Sequence, residues 1–117
     1  MRYVSLANDR VMINKLLSNC LDDDLGLSSW CFVPDRKEPP VDYYQMIEDK
    51  GGIIFEDVEY EDEKWILTRD KMIDGFRILD ERNQEAFERI SRNHGEWGAE
   101  DADQWFQYSL FQTIVYS

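Results

Sequence analysis

The chain has 117 residues, with 25 acidic and 13 basic side chains and a formal net charge of −12. That length predicts one domain, 1–117, with a core that needs no disulfide or metal, and an apolar fraction of 43% with four Trp, six Tyr and six Phe fits a folded globular protein. No run of about 18 apolar residues is present to form a transmembrane helix, and no basic face is evident that would bind nucleic acid or an anionic membrane directly.

The first residues, Met1 to Asp9, lack an apolar signal core and turn polar at once, so a cytoplasmic location is expected. Ser5 to about Asp22 reads as a helix with Asp9 near its start and Ile13, Leu16, Leu17, Cys20 and Leu21 on one face. Asp22, Asp23 and Asp24 then oppose the negative end of the helix dipole. Such a local conflict can mark a surface kept for another purpose.

Trp30 to Val33 is a short apolar run, expected as a buried strand that Pro34 ends. Residues 35–40 are a loop by composition, because Pro39 and Pro40 cannot sit in a central strand. Asp42 to Glu48 predicts a short helix, with a strand over 41–47 as the alternative, and Lys50, Gly51 and Gly52 form a stop. Ile53 to Tyr60 is the clearest strand, rich in β-branched and aromatic residues. Trp65 to Leu67 is its hairpin partner, with Glu61, Asp62 and Glu63 as the connection.

Thr68 predicts the cap of a helix from Arg69 whose face is Met72, Ile73, Phe76 and Leu79. Helix continues from Asp80 to Arg92, with either a break near Asp80 or a straight run, and with Phe87 and Ile90 inward. Asn93 to Gly95 ends it, and Glu96 to Gly98 bridges to the last segment. That segment, Asp101 to Tyr116, is the longest apolar-periodic stretch. Ala102, Trp105, Phe106, Leu110 and Ile114 recur at three- and four-residue steps, and Phe111 and Val115 widen the face. A C-terminal helix should therefore lie at the centre of the fold, with Asp101 and Asp103 at its positive end. The predicted class is α+β: a small antiparallel β-hairpin or three-stranded sheet packed against about four helices.

The stretch Leu67 to Gly75 and the chain end, Asp101-Ala102-Asp103 followed by Gln107, Leu110-Phe111 and Val115-Tyr116, resemble small acidic proteins carried by phages, prophages and other mobile elements. Those chains often end in an Asp-Ala-Asp…Gln…Leu-Phe-Gly-Glu-Val-Val-Tyr-Gly pattern. The resemblance covers roughly residues 53–117. Gln112 and Thr113 stand where those proteins often have Gly-Glu, and Ser117 replaces their final Gly. What the resemblance implies is a mobile-element origin, with no catalytic motif to carry over.

Charge is unevenly distributed. Residues 69–92 hold six basic and six acidic groups, whereas residues 1–68 carry −8 and residues 93–117 carry −4. Glu56, Asp57, Glu59, Glu61, Asp62 and Glu63 place six carboxylates within eight residues. Acids on a strand edge discourage pairing with other chains, which is the plain reading. The functional reading is a row: Asp57, Glu59 and Glu61 would project from one side of an extended chain at roughly 6.6 Å spacing. That is comparable to successive phosphates of a nucleic-acid strand, and such a row suits a basic groove.

Other chemistries find little support. No calcium loop is complete around Asp22–Asp24 or Glu61–Glu63. His94 is the single histidine, placed near a helix end. Cys20 and Cys31 have neither zinc nor redox spacing and are expected as buried free thiols. No nucleophile elbow, phosphate loop or dinucleotide fingerprint occurs. Of Trp30, Trp65, Trp97, Tyr43 and Tyr44, most should be core and one or two exposed anchors, Trp97 among them.

The reading is an acidic, non-enzymatic inhibitor with no cofactor or metal. It would occupy the basic nucleic-acid-binding surface of a host defence complex, in the manner of anti-restriction or anti-CRISPR proteins. Its contact residues would be Glu56, Asp57, Glu59, Glu61, Asp62, Glu63, Asp22, Asp23, Asp24 and Trp97. The alternative is an acidic interaction or structural module, a homodimer among its forms, whose charge serves solubility.

Overall fold

The computed structural model describes residues 2–21, 31–34, 41–60, 62–92 and 97–116. Asp22, Asp23, Asp24, Trp30, Glu61 and His94, with the expected loop at 35–40 and the helix stop at Asn93, lie outside the described residues. The elements run α1 Arg2–Ala7, α2 Arg10–Leu21, β1 Cys31–Phe32, α3 Tyr43–Lys50, β2 Ile53–Asp57, β3 Lys64–Leu67, α4 Arg69–Arg82, α5 Gln84–Arg92 and α6 Ala99–Phe111. The α+β class is as expected. Six helices stand among the described residues where about four were predicted, because two predicted helices are interrupted by their own caps.

The first interruption is at Asn8 and Asp9. The Asp9 carboxylate accepts from Met12 N at 3.1 Å and so starts a new helix, α2. The apolar positions of α2 (Met12, Ile13, Leu16, Leu17, Cys20 and Leu21) are all buried. The second is at Asn83, where the backbone leaves the helix and the side chain accepts from Ala86 N at 3.2 Å to cap α5. The break falls three residues later than Asp80.

Helix, not strand, forms after Asp42. Asp42 Oδ1 accepts from Gln45 N at 3.0 Å as the cap of α3, and its carboxylate also receives Arg10 at 2.6 Å and Asn14 at 2.8 Å from α2. Gly51 ends α3 in the left-handed region, φ +80°, and donates to Ile47 O at 2.8 Å. Few residues other than glycine adopt that conformation without cost.

The sheet is antiparallel with order β1-β2-β3. Ile53 pairs with Leu67, Ile54 with Ile66, Phe55 with Trp65 and Glu56 with Lys64. On the other edge of β2, Cys31 pairs with Asp57. Alternation sends Ile53, Phe55 and Asp57 to the helices and Ile54 and Glu56 outward.

Helix α6 is central. Ala102, Trp105, Phe106 and Leu110 are buried. The Trp105 ring lies 5.1 Å from that of Phe76 on α4, and Phe106 meets Phe55 of the sheet edge-on at 5.1 Å. The predicted helix, however, runs too long. It stops at Phe111, and Gln112 turns the chain into the left-handed region with φ 63°. Ile114 and Val115 are therefore not core residues; they are exposed on a tail that folds back. The cause is Gln107, a fully buried side chain. Its Oε1 accepts from Val115 N at 2.8 Å and Tyr116 N at 2.7 Å, while Nε2 donates to Tyr116 O at 2.7 Å and to Asp103 at 2.9 Å. All four hydrogen-bonding positions of the amide are filled.

Candidate functional site

The acidic stretch is a turn rather than an extended row. Strand β2 stops at Asp57, and β3 returns antiparallel from Lys64. The turn is closed by Asp57 N donating to Glu63 O at 3.0 Å and Glu63 N donating to Tyr60 O at 3.0 Å.

Asp57 organises it. Its side chain points inward and the residue is only 6% exposed. Oδ1 accepts from Glu59 N at 2.7 Å and Tyr60 N at 3.0 Å, the local pattern by which Asp shapes a turn. Oδ2 accepts from the Tyr116 hydroxyl at 2.8 Å. The Tyr116 bond, reinforced by the backbone donors, holds the Asp57 carboxyl below the usual carboxylate range. Burial, then the bond to Asp57, pushes Tyr116 up to about 12.

Asp57 is therefore not an exposed contact residue, which corrects the sequence reading. Its carboxylate is turned inward to the Glu59 and Tyr60 amides and the Tyr116 hydroxyl, so Asp57 and Glu59 do not project side by side from one exposed edge. Glu56 is half-buried on the outer sheet face and pairs with Lys64 at 3.3 Å. Glu59, Asp62 and Glu63 are exposed, as expected. Beside them stand two exposed apolar residues of the turn, Val58 and Tyr60, the latter 64% exposed. Trp97 is half-buried against the core, with its Nε1 enclosed. It is no protruding anchor, and neither are Tyr43, Tyr44 and Trp65, which are buried or half-buried.

Tyr60 and Tyr116 were missed by sequence reasoning. For Tyr60 a signal was present: an Asp at the end of a strand, two and three residues before the amides that it caps, is a turn former. For Tyr116 there was none, because its partner lies 59 positions away.

A second exposed feature is the outer face of the hairpin, where Ile54 and Ile66 stand opposite each other, 51% and 43% exposed. The Ile66 carbonyl accepts from Lys71 Nζ at 2.7 Å. Together with Lys64 this charge discourages strand addition at the β3 edge. Among the described residues, no group of three or more His, Cys, Asp or Glu side chains is gathered to hold a metal ion, and no helix is long and apolar enough to cross a membrane. Against known protein families, curated proteins and solved structures, the chain shows no match.

Proposed function

We propose that this chain is a non-enzymatic binding protein that docks the β2–β3 turn onto a basic protein surface. The observation that carries the reading is the preorganised turn: Glu59, Asp62 and Glu63 face solvent around Tyr60, while Asp57 fixes the backbone from inside. Exposed carboxylates steer encounter with a positive surface. An exposed Tyr and Val supply apolar contact at the centre of such an interface. A turn held in one shape loses less entropy on binding.

Surfaces built for phosphates are the partners whose charge fits best, so the more specific form of the proposal is an inhibitor that occupies a nucleic-acid-binding surface. The resemblance to mobile-element proteins favours a host defence complex as target, in the anti-restriction or anti-CRISPR manner. Blocking would be steric and electrostatic, without turnover. Loss of the even carboxylate row weakens strict mimicry of a phosphate backbone, and the paired, exposed Ile54 and Ile66 favour a second reading, a plain interaction module that buries this face.

The test is capture from a bacterial lysate at low and at high salt, with the parent and with Glu59, Asp62 and Glu63 changed to Lys. The proposal expects a nucleic-acid-binding protein that is retained at low salt, released at high salt, displaced by DNA and not retained by the variant. Capture that is indifferent to salt and to the three substitutions, but lost on Ile54→Lys, would establish the second reading instead.

A further inference from the structure

Residues 112–116 leave α6 and cross back to the acidic turn, and of them Tyr116 packs against the core. Gln112, Thr113, Ile114 and Val115 are exposed. The Gln107 amide grips the backbone of Val115 and Tyr116 through three hydrogen bonds of 2.7–2.8 Å. The Tyr116 ring adds an edge contact to Trp65 at 6.3 Å and a tilted contact to Phe111 at 5.9 Å. At the far end the Tyr116 hydroxyl reaches Asp57, whose other oxygen sets the Glu59 and Tyr60 amides. A continuous chain of hydrogen bonds thus links Gln107, in the buried centre of the fold, to the backbone of the turn.

We propose that the C-terminal tail is a latch, and Tyr116 a positioning residue, that sets the shape of the acidic turn. With the tail docked, the Asp57 carboxylate is fixed in its position and orientation and the turn has one conformation. With the tail released, Asp57 loses the Tyr116 hydroxyl, its carboxylate is free to turn toward water, and the Glu59 and Tyr60 amides lose their fixed acceptor. Exposed chain ends open more readily than buried elements, and residues 112–115 are exposed, so an event that releases the tail changes the turn without unfolding the core. The meaning for binding rests on the reading of the turn as a docking surface. The coupling itself is a property of the chain alone.

Two full-length variants test it. Tyr116→Phe keeps the ring against Trp65 and removes only the hydroxyl. Val115→Pro removes the amide that Gln107 accepts and leaves Tyr116 intact, and the side chain at 115 is exposed. Backbone order parameters from NMR relaxation report the turn directly. In the parent, the Glu59 and Tyr60 amides should be rigid, about 0.85; in both variants they should fall below about 0.6, with Phe76 and Trp105 unchanged. Rigid Glu59 and Tyr60 in both variants would overturn the proposal and leave Asp57 as the sole organiser. Loosening in Tyr116→Phe alone would also overturn it, because the hydroxyl and not the strap would then hold the turn. Neither result depends on a partner, so failure here is separate from failure of the docking reading, which is read from capture and association of the Glu59, Asp62 and Glu63 variant.

Discussion

Gly75 on α4 lies so close to Ser109 on α6 that a Cβ at position 75 would sit 1.9 Å from Ser109 Oγ and 3.0 Å from its Cα. Ser109 cannot swing away freely, since its hydroxyl donates to Trp105 O at 2.8 Å inside the core. The closeness of the two helices therefore depends on hydrogen at position 75. Gly75→Ala should push α4 from α6 and destabilise the fold by about 1–3 kcal/mol, the usual cost of overpacking, despite the better helix propensity of Ala. Urea melts of the two proteins check it.

Trp105, whose carbonyl receives the Ser109 hydroxyl, is fully buried with its ring against Phe76. Trp105→Ala should cost about 3–5 kcal/mol, a large part of a small domain's stability. Denaturation midpoints of variant and parent that coincide would remove α6 from the centre of the fold.

Acid and base act through named groups. Asp101 is held below its ordinary range chiefly by Arg89, whose Nε and Nη2 donate at 2.8 Å each across α5 and α6, with Gly98 N adding a weaker bond. Asp42 and Asp57 are depressed as well, by Asn14 and Tyr116 first. Depressed carboxylates stabilise the fold fully above their unfolded value near 4, and the contribution is lost as pH falls through the lower folded values. Stability should therefore be level above about pH 5 and decline below about pH 4, less steeply in Asp101→Asn. Tyr116 works at the other end: the stability from its protonated hydroxyl is complete below the ordinary value near 10 and is lost as pH rises toward about 12. Chemical denaturation across pH measures the acid limb, and an ultraviolet titration of parent against Tyr116→Phe measures the alkaline one.

Cys20 and Cys31 are both buried free thiols, and burial pushes Cys31 up to about 12. The native protein should react slowly with a thiol reagent, whereas the denatured, unreduced protein should titrate both thiols. A denatured sample without thiols would contradict this.

The elements that were legible in the sequence are those whose cause is local. The apolar face of α6, the Thr68 cap, the short helix after Asp42 and the Ile53 hairpin follow from spacing and turn chemistry within a few residues. The helix breaks at Asp9 and Asn83 are local too, but a capping Asp or Asn inside an apolar-periodic run looks like any solvated position until its side chain is seen to turn back on the chain. Ile114 and Val115 continue the period of α6, and only the buried Gln107 amide shows why the helix ends before them. Of the candidate contact residues, Glu59, Asp62 and Glu63 lie as expected because an exposed carboxylate in a turn is the default. Asp57 does not: its local bonds to the Glu59 and Tyr60 amides are a turn signal that the neighbouring acids obscure, and its inward partner, Tyr116, lies 59 positions away.

The central claim is that the exposed carboxylates of the turn steer this protein onto a basic surface. It is tested most directly by the association rate with the captured partner, measured by stopped flow at low and physiological salt for the parent and for the Glu59→Lys, Asp62→Lys, Glu63→Lys triple variant. The fold should survive, since substitutions at exposed sites usually shift stability by less than about 0.5 kcal/mol. The parent's rate should fall with salt, because such charges are screened within about 8–10 Å, and the variant should associate at least several-fold more slowly at low salt. A folded triple variant that associates at the parent's rate at both salts would contradict the account.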